Sequence, residues 1–132
     1  MRIVVIGSGR LGASVARNLA KEGHQVTIVD KEESKFRNLG DSPGVRKMTG
    51  NIFGDETLEL AFGNKTDIAI VVTGKDDINI MIGQIIKLKR DVKRVIVRIF
   101  DPPLAEVYSK LGLETICPTN FALDNIINLV HR

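Results

Sequence analysis

Gly7-Ser8-Gly9-Arg10-Leu11-Gly12 is a G-x-G-x-x-G run near the amino terminus. It directly follows a short apolar run, residues 3–6, and opens an amphipathic stretch, residues 11–22. In a strand–loop–helix of this kind each glycine has a task. Gly7 permits a tight turn, Gly9 lets the backbone approach a pyrophosphate, and Gly12 lets helix and strand pack closely. N–H groups freed at the helix start, together with the positive end of the helix dipole, then hold the anion. Asp30 ends the second apolar run, 18 residues beyond Gly12, with Lys31 after it. A carboxylate there is placed to accept hydrogen bonds from an adenosine ribose, and it disfavours a 2′-phosphate, so NAD is expected rather than NADP. The alternative for these residues is a ligand-free glycine turn, with Asp30 capping the segment from Glu32 onward. Arg10 either lays a long cation over the phosphates, through charge-assisted hydrogen bonds, or is a solvated first-turn arginine.

A second group follows the fourth apolar run: Thr73-Gly74-Lys75-Asp76-Asp77-Ile78-Asn79. It borders the crevice at the carboxyl ends of the strands, where open α/β sheets bind ligands. Thr73 and Gly74 are placed to contact ribose or phosphate. Asn79 either ties the helix start to this loop or is an ordinary helix residue behind a cap at Asp76. Arg98 is a charge within an apolar run, Val95-Ile96-Val97-Arg98-Ile99. We expect it to reach the crevice; the alternative is a strand end that faces water.

The elements that must position these groups alternate. Short runs rich in Val and Ile occupy residues 3–6, 26–29, 45–49, 68–73, 95–99 and 115–117. Four of them show little polar alternation, as strands buried on both faces do. Val45-Arg46-Lys47-Met48-Thr49 alternates, which places it at a sheet edge. Helical spacing fills the gaps: residues 11–22 up to Gly23, a shorter helix around Phe36 and Leu39 up to Gly40, and one around Leu58, Ala61 and Phe62. Residues 78–89 follow a cap at Asp76 or Asp77, Pro102-Pro103 opens a helix through Leu111, and residues 120–131 are helical. Six strand–helix alternations specify a Rossmann-like, doubly wound α/β fold. We expect one domain over residues 1–132, with six parallel strands in the order 3-2-1-4-5-6 and helices on both faces.

Composition narrows the function. Nineteen basic and 16 acidic side chains leave a net charge of +3, small for a nucleic-acid binder. The basic stretch Lys87, Lys89, Arg90, Lys93 and Arg94 lacks interleaved aromatics and reads as a solvated helix end. A single cysteine, Cys117, excludes an internal disulfide, and its apolar surroundings suggest a buried structural thiol. His24 and His131 lack partners that would make either a general base or a metal ligand. The apolar runs are far short of the ~20 residues that span a bilayer. No signal peptide is visible at the start, so a cytosolic protein is expected.

These pieces together resemble the nucleotide-binding domain of regulators of potassium conductance, the RCK, KTN or TrkA-N domain. The resemblance runs from Arg2 to about Val130. It is carried by the glycine loop, Asp30, the Thr73–Asn79 element, Arg98, and Leu111-Gly112 leading to Cys117-Pro118. It implies NAD(H), ATP, ADP or AMP in the crevice, held by Gly7, Ser8, Gly9, Arg10, Leu11, Gly12, Asp30, Lys31, Asn51, Ile52, Thr73, Gly74, Lys75, Asn79 and Arg98. It also implies a homodimer or larger ring, with the helix at 120–131 as a dimerisation or crossover helix. Such a ring gates a potassium channel or transporter from the cytoplasmic face of the plasma membrane, without itself entering the membrane.

Two positions depart from the family pattern. Gly50-Asn51 stands where Gly-Asp is usual, so the charge is missing beside the adenine or ribose. Thr119 stands where a glutamate often follows the proline, so no metal is expected there. The chain also lacks the second, smaller domain of many members, as a truncated piece or a short subunit working with a partner would. The expected function is therefore a non-catalytic nucleotide sensor, for which the apolar residues Phe121, Leu123, Ile126, Ile127, Leu129 and Val130 supply an assembly surface. The alternatives are a fragment of an NAD-dependent oxidoreductase and a scaffold with a vestigial site.

Overall fold

The computed structural model describes residues 1–63 and 65–132. Strands β1 (Arg2–Ile6), β2 (Gln25–Asp30), β3 (Val45–Thr49), β4 (Thr66–Val71), β5 (Val92–Arg98) and β6 (Glu114–Ile116) form one parallel sheet. Its order is β3-β2-β1-β4-β5-β6, as the alternation predicts. Helix α1 (Arg10–Lys21) and a 3₁₀ helix, Glu33–Leu39, cover one face. Helices α2 (Asp55–Phe62), α3 (Asp76–Lys89) and α4 (Pro102–Lys110) cover the other. Two apolar cores result, one on each side of the sheet. Ile3, Val5, Ala13, Ala16 and Ile28 belong to the first; Val4, Ile6, Ile82, Ile86 and Val97 belong to the second. β1 lies between both, and its residues Ile3, Val4, Val5 and Ile6 are all buried. β3 is one of the two edge strands, with Arg46, Lys47 and Thr49 exposed.

Several boundaries differ from the sequence pattern, each for a local reason. β4 ends at Val71 rather than at residue 73, and the carbonyls of Val72 and Thr73 just beyond it accept the Arg98 guanidinium. β5 begins at Val92, so Lys93 and Arg94 lie in a strand and not on the end of α3. There Arg94 forms a two-pronged ion pair with Glu114 on β6 (2.7 and 2.6 Å), which raises the arginine's pKa and lowers that of the glutamate. Cys117 stands just beyond β6 as the residue that precedes α5 (Pro118–Val130), and it is buried as expected. Lys75, not Asp76 or Asp77, occupies the cap position of α3.

Helix α5 has no buried residue. Phe121, Leu123, Ile126, Ile127, Leu129 and Val130 are all exposed, Val130 to 71%. On the α1 side of the sheet, Ile70 and Ile96 are only half-buried and Ile116 is exposed. An apolar helix and part of an apolar sheet face are thus both left open.

The tightest packing is at the glycine loop. Gly7 has φ +108°, and a Cβ there would stand 2.8 Å from the Val72 carbonyl oxygen. At Gly12 a Cβ would fall 1.8 Å from the Gly7 oxygen, inside backbone that cannot swing aside. Gly12→Ala is expected to lower the unfolding free energy by about 3 kcal/mol, outweighing the ~1 kcal/mol that alanine gains over glycine in a helix. Urea unfolding measures this. A variant as stable as the parent would refute so close an approach of α1 to β1.

Candidate functional site

Glycine at positions 7, 9 and 12 brings the amino end of α1 to the carboxyl end of β1. Gly9 is the cap residue, with no side-chain hydrogen bond and no acid in the first turn. The first N–H to bond back is that of Ala13, to Gly9 O (2.9 Å), which leaves those of Arg10, Leu11 and Gly12 without a helical acceptor. A Cβ on Gly9 would meet nothing within 4 Å, and the same is true of Gly74 across the crevice. Arg10 and Leu11 are exposed beside this space. The arrangement suits an anion: free donors, the positive end of a helix dipole, and room for backbone approach.

Asp30 lies half-buried at the end of β2. Its Oδ2 accepts the Ser8 N–H (2.8 Å) and its Oδ1 accepts the Glu32 N–H (2.9 Å). The Asp30 carboxylate thus fastens the glycine loop and closes the turn after β2. A carboxylate has about four lone-pair directions, so these two bonds leave capacity for ribose hydroxyls. Ser8 is fully buried, with its hydroxyl donating to Lys35 O (3.2 Å) and its carbonyl accepting Asn38 Nδ2 (2.9 Å). Its N–H and hydroxyl thus serve the loop and not a ligand. Lys31 and Asn51 are exposed at the rim. Ile52 is buried in the core, so only its backbone faces the loop.

The second group is a closed network around Asn79, which has no exposed surface. Its Oδ1 accepts both the Thr73 N–H (2.9 Å) and the Thr73 hydroxyl. Its Nδ2 donates to Thr73 O (3.1 Å) and Arg98 O (2.9 Å). With every polar atom of its amide spent, Asn79 positions Thr73, the tie between helix start and loop that its place in the sequence allows. Arg98 reaches the crevice end of the sheet, as expected. Its Nη2 donates to Val72 O (3.0 Å) and Thr73 O (2.8 Å), and its guanidinium lies 4.9 Å from the centre of the Phe100 ring. Burial pulls its pKa below the ordinary arginine range, and the nearby Asp76 opposes that. Asp76 spends its carboxylate on the N–H groups of Phe100 (2.8 Å) and Asp101 (3.0 Å), joining the start of α3 to the loop after β5. Sequence reasoning took Asp76 for a cap and passed over Phe100. The only signal for the latter was an aromatic one residue past the fifth apolar run.

The remaining candidates stay outside this chemistry. His24 Nδ1 is 3.1 Å from the terminal amine, beside the α1–β2 turn. The Cys117 thiol donates to Phe100 O (3.5 Å). Thr119 donates its hydroxyl to the same carbonyl (2.7 Å). Among the described residues there is no group of three or more His, Cys, Asp or Glu side chains that could hold a metal. Two concavities lie elsewhere. One of about 380 Å³ opens at the opposite end of the sheet, lined by Arg2, Gln25, Thr27 and Arg46 among others; one of about 830 Å³ runs between α4 and α5 past Ala105, Cys117 and Phe121. Neither includes the glycine loop, where the free donors are.

The family model of the TrkA-N domain matches residues 3–119. The chain belongs to the TrkA-N family. The Trk system potassium uptake protein TrkA of Streptomyces coelicolor is 35% identical over 127 residues, which are 96% of this chain and 57% of that protein. The chain spans roughly half to three-fifths of the length of the curated relatives it matches. Among solved structures, the Kef CTD of Shewanella denitrificans in AMP-bound form has a TM-score of 0.81 at 20% identity, over 100% of this chain and 83% of that one. The GsuK channel bound to NAD gives 0.72 at 15% identity, over 89% of this chain and 21% of that one. These two likenesses establish the fold.

Within this TrkA-N domain the Asn79 network makes a direct demand on stability. Asn79→Ala strands the Thr73 N–H and the Arg98 carbonyl in a buried site. It is expected to cost about 2–4 kcal/mol in urea unfolding and to speed amide exchange at Thr73. A loss below about 0.5 kcal/mol would mean that water takes the place of the amide.

Proposed function

We propose that this TrkA-N domain is a non-catalytic nucleotide sensor that regulates a potassium channel or transporter. The observation that carries the reading is the amino end of α1: three N–H groups without helical acceptors beside open space at Gly9, with the Asp30 carboxylate at the next strand end. Phosphates belong over Gly9, Arg10, Leu11 and Gly12, with Arg10 free to lie across them. Ribose belongs at Asp30, with Lys31, Asn51 and the Ile52 backbone along that side. Thr73, Gly74, Lys75 and Arg98 border the crevice on the β4 side. NAD(H) and the adenine mono-, di- and triphosphates all fit this plan. The AMP held by the Kef CTD and the NAD held by the GsuK channel support it by analogy of fold. Asp30 and Asp76, the carboxylates fixed at this end of the sheet, are engaged with backbone N–H groups, a structural task rather than proton transfer in a dehydrogenase. Thr119 turns its hydroxyl to the Phe100 carbonyl, so no metal is assigned to that position.

The potassium link rests on the relationship to TrkA proteins. No helix among the described residues is long and apolar enough to cross a membrane. The domain would act from the cytoplasmic face, attached to the membrane through a transporter subunit. Assembly through a homodimer or ring is supported by the unpacked α5 and by Met81 and Leu88 exposed on α3. A ligand that favours one arrangement of such a ring is favoured by it in return, to the same free energy.

Thermal unfolding against NAD, NADH, NADP, ATP, ADP and AMP tests the sensor. Saturation at 100 times Kd adds about 2.7 kcal/mol to the native state, a rise of roughly 5–10 °C for a domain this size. The rise should appear with NAD(H) or an adenine nucleotide, stay small with NADP, and vanish in Asp30→Ala. Stability unchanged by every ligand would leave a vestigial scaffold or a site that a partner completes. Hydride transfer to a bound NAD would establish an oxidoreductase instead.

Assembly is tested by sedimentation at high micromolar concentration. The parent is expected as a dimer or larger, and Ile126→Asp with Val130→Asp as a folded monomer, because neither side chain is buried within one chain. A monomeric parent would overturn the assembly reading.

A further inference from the structure

The peptide between Ser8 and Gly9 is gripped from outside the glycine loop. The Ser8 N–H donates to Asp30 Oδ2 (2.8 Å), its hydroxyl donates to Lys35 O (3.2 Å), and its carbonyl accepts Asn38 Nδ2 (2.9 Å). The last two partners belong to the 3₁₀ helix Glu33–Leu39. Arg17 of α1 fastens that helix in turn, by donating to Asn38 O (2.6 Å) and Leu39 O (3.3 Å). The atom of the Asn38 amide that faces Ser8 O must be the nitrogen, because a carbonyl oxygen can only accept.

A trans peptide sets its C=O and N–H in opposite directions. With Ser8 O drawn toward Asn38, the Gly9 N–H points away from the 3₁₀ helix, and it has no acceptor among the described residues. It directly precedes the unbonded N–H groups of Arg10, Leu11 and Gly12. The backbone of Gly9 does not by itself keep this orientation. Its φ is −76°, and turning the peptide over would carry φ to the positive side, which glycine adopts readily. The turned peptide would present the Ser8 oxygen where the N–H now points, and an oxygen there repels an anion. The hydrogen bond from Asn38 opposes that turn.

We propose that Asn38 is a positioning residue for the anion site: without touching the ligand, it holds the Ser8–Gly9 peptide with its N–H toward a bound phosphate. This rests on the nucleotide reading above. Asn38 is exposed and belongs to neither core, so replacing it leaves the fold in place.

The test is calorimetric titration of the parent, Asn38→Ala and Asn38→Asp with ADP, the portion that NAD and ATP share, and with NAD. It runs from about pH 7 to about pH 4, the range over which a carboxyl group takes up its proton. Each variant is read as its Kd relative to the parent at the same pH. Arg17 and Asp30, bonded at this corner, and the Lys35–Glu32 pair on the same segment are common to all three proteins, so their titration cancels in that ratio. At neutral pH Asn38→Ala is expected to bind about tenfold more weakly than the parent. Asn38→Asp is expected to be weaker still, because its carboxylate sets an acceptor against Ser8 O. Protonation gives the new carboxyl a neutral O–H donor in place of the amide. Asn38→Asp therefore recovers to within about threefold of the parent as the pH falls, while Asn38→Ala stays about tenfold weaker. Asn38→Ala binding as tightly as the parent would overturn the proposal and leave the nucleotide site standing. So would an Asn38→Asp that stays weak at every pH, because disorder of the 3₁₀ helix, and not loss of the donor, would then be the cause. Failure of the parent to bind either ligand would overturn both readings.

Discussion

The contact on which the rest depends is the one between Gly12 and the carbonyl of Gly7. With no Cβ at either position, the first turn of α1 lies directly against the end of β1. That closeness puts Ala13 and Ala16 onto Ile3 and Val5 and so closes one of the two cores. It also aims the three free N–H groups at the carboxyl edge of the sheet. Small side chains and a helix dipole are thus used twice, once for packing and once for electrostatics. The positive potential at this edge needs no charged residue, because the donors are backbone.

The crevice has two walls, and they are built by different physics. The wall at α1 and β2 is held by backbone geometry and by Asp30, which bonds the Ser8 N–H across the gap between strands. The wall at β4 and β5 is held by side chains. Asn79, Asp76 and Arg98 bond to backbone groups on neighbouring loops, and each spans at least six residues of sequence. Arg98 is tolerated there because two carbonyls and an aromatic ring replace much of the water it loses. Rigidity of this wall comes from the fully bonded Asn79 amide, which fixes Thr73 on two sides.

Much of the fold was legible because its signals are local. The glycine spacing, the acid after the second strand and six apolar runs suffice for a parallel sheet and its order, and the polar alternation of residues 45–49 suffices to put that strand at an edge. What escaped depends on contacts distant in sequence. Lys93 and Arg94 look like the end of a basic helix until pairing with β6 gives Arg94 a partner at Glu114. Asp76 looks like a cap, yet its acceptors serve residues 24 and 25 positions away. Asn79 reads from its position as either a tie between helix start and loop or an ordinary helix residue, and only its bonds to Thr73 and its full burial decide for the tie. The hydrophobic residues of α5 were visible in the sequence as an excess that one sheet cannot cover.

The proposed sensor must connect its ligand to its partner, and the bonded groups in this chain run from the crevice to α5. Thr73, at the crevice, is held by Asn79; Asn79 holds the Arg98 carbonyl; two residues on, the Phe100 carbonyl accepts the Thr119 hydroxyl in the first turn of α5. Cys117 adds its thiol to that same carbonyl. A contiguous path does not by itself make coupling; that requires an element with two arrangements whose balance both ends bias. Helix α5 has the physical qualifications for such an element. Its root is fixed by hydrogen bonds to the β5–α4 loop, while its body is buried nowhere in its own chain. Its position is therefore set by whatever covers it, and a ligand that stiffens the wall at Thr73 acts on the one part of α5 that this chain controls.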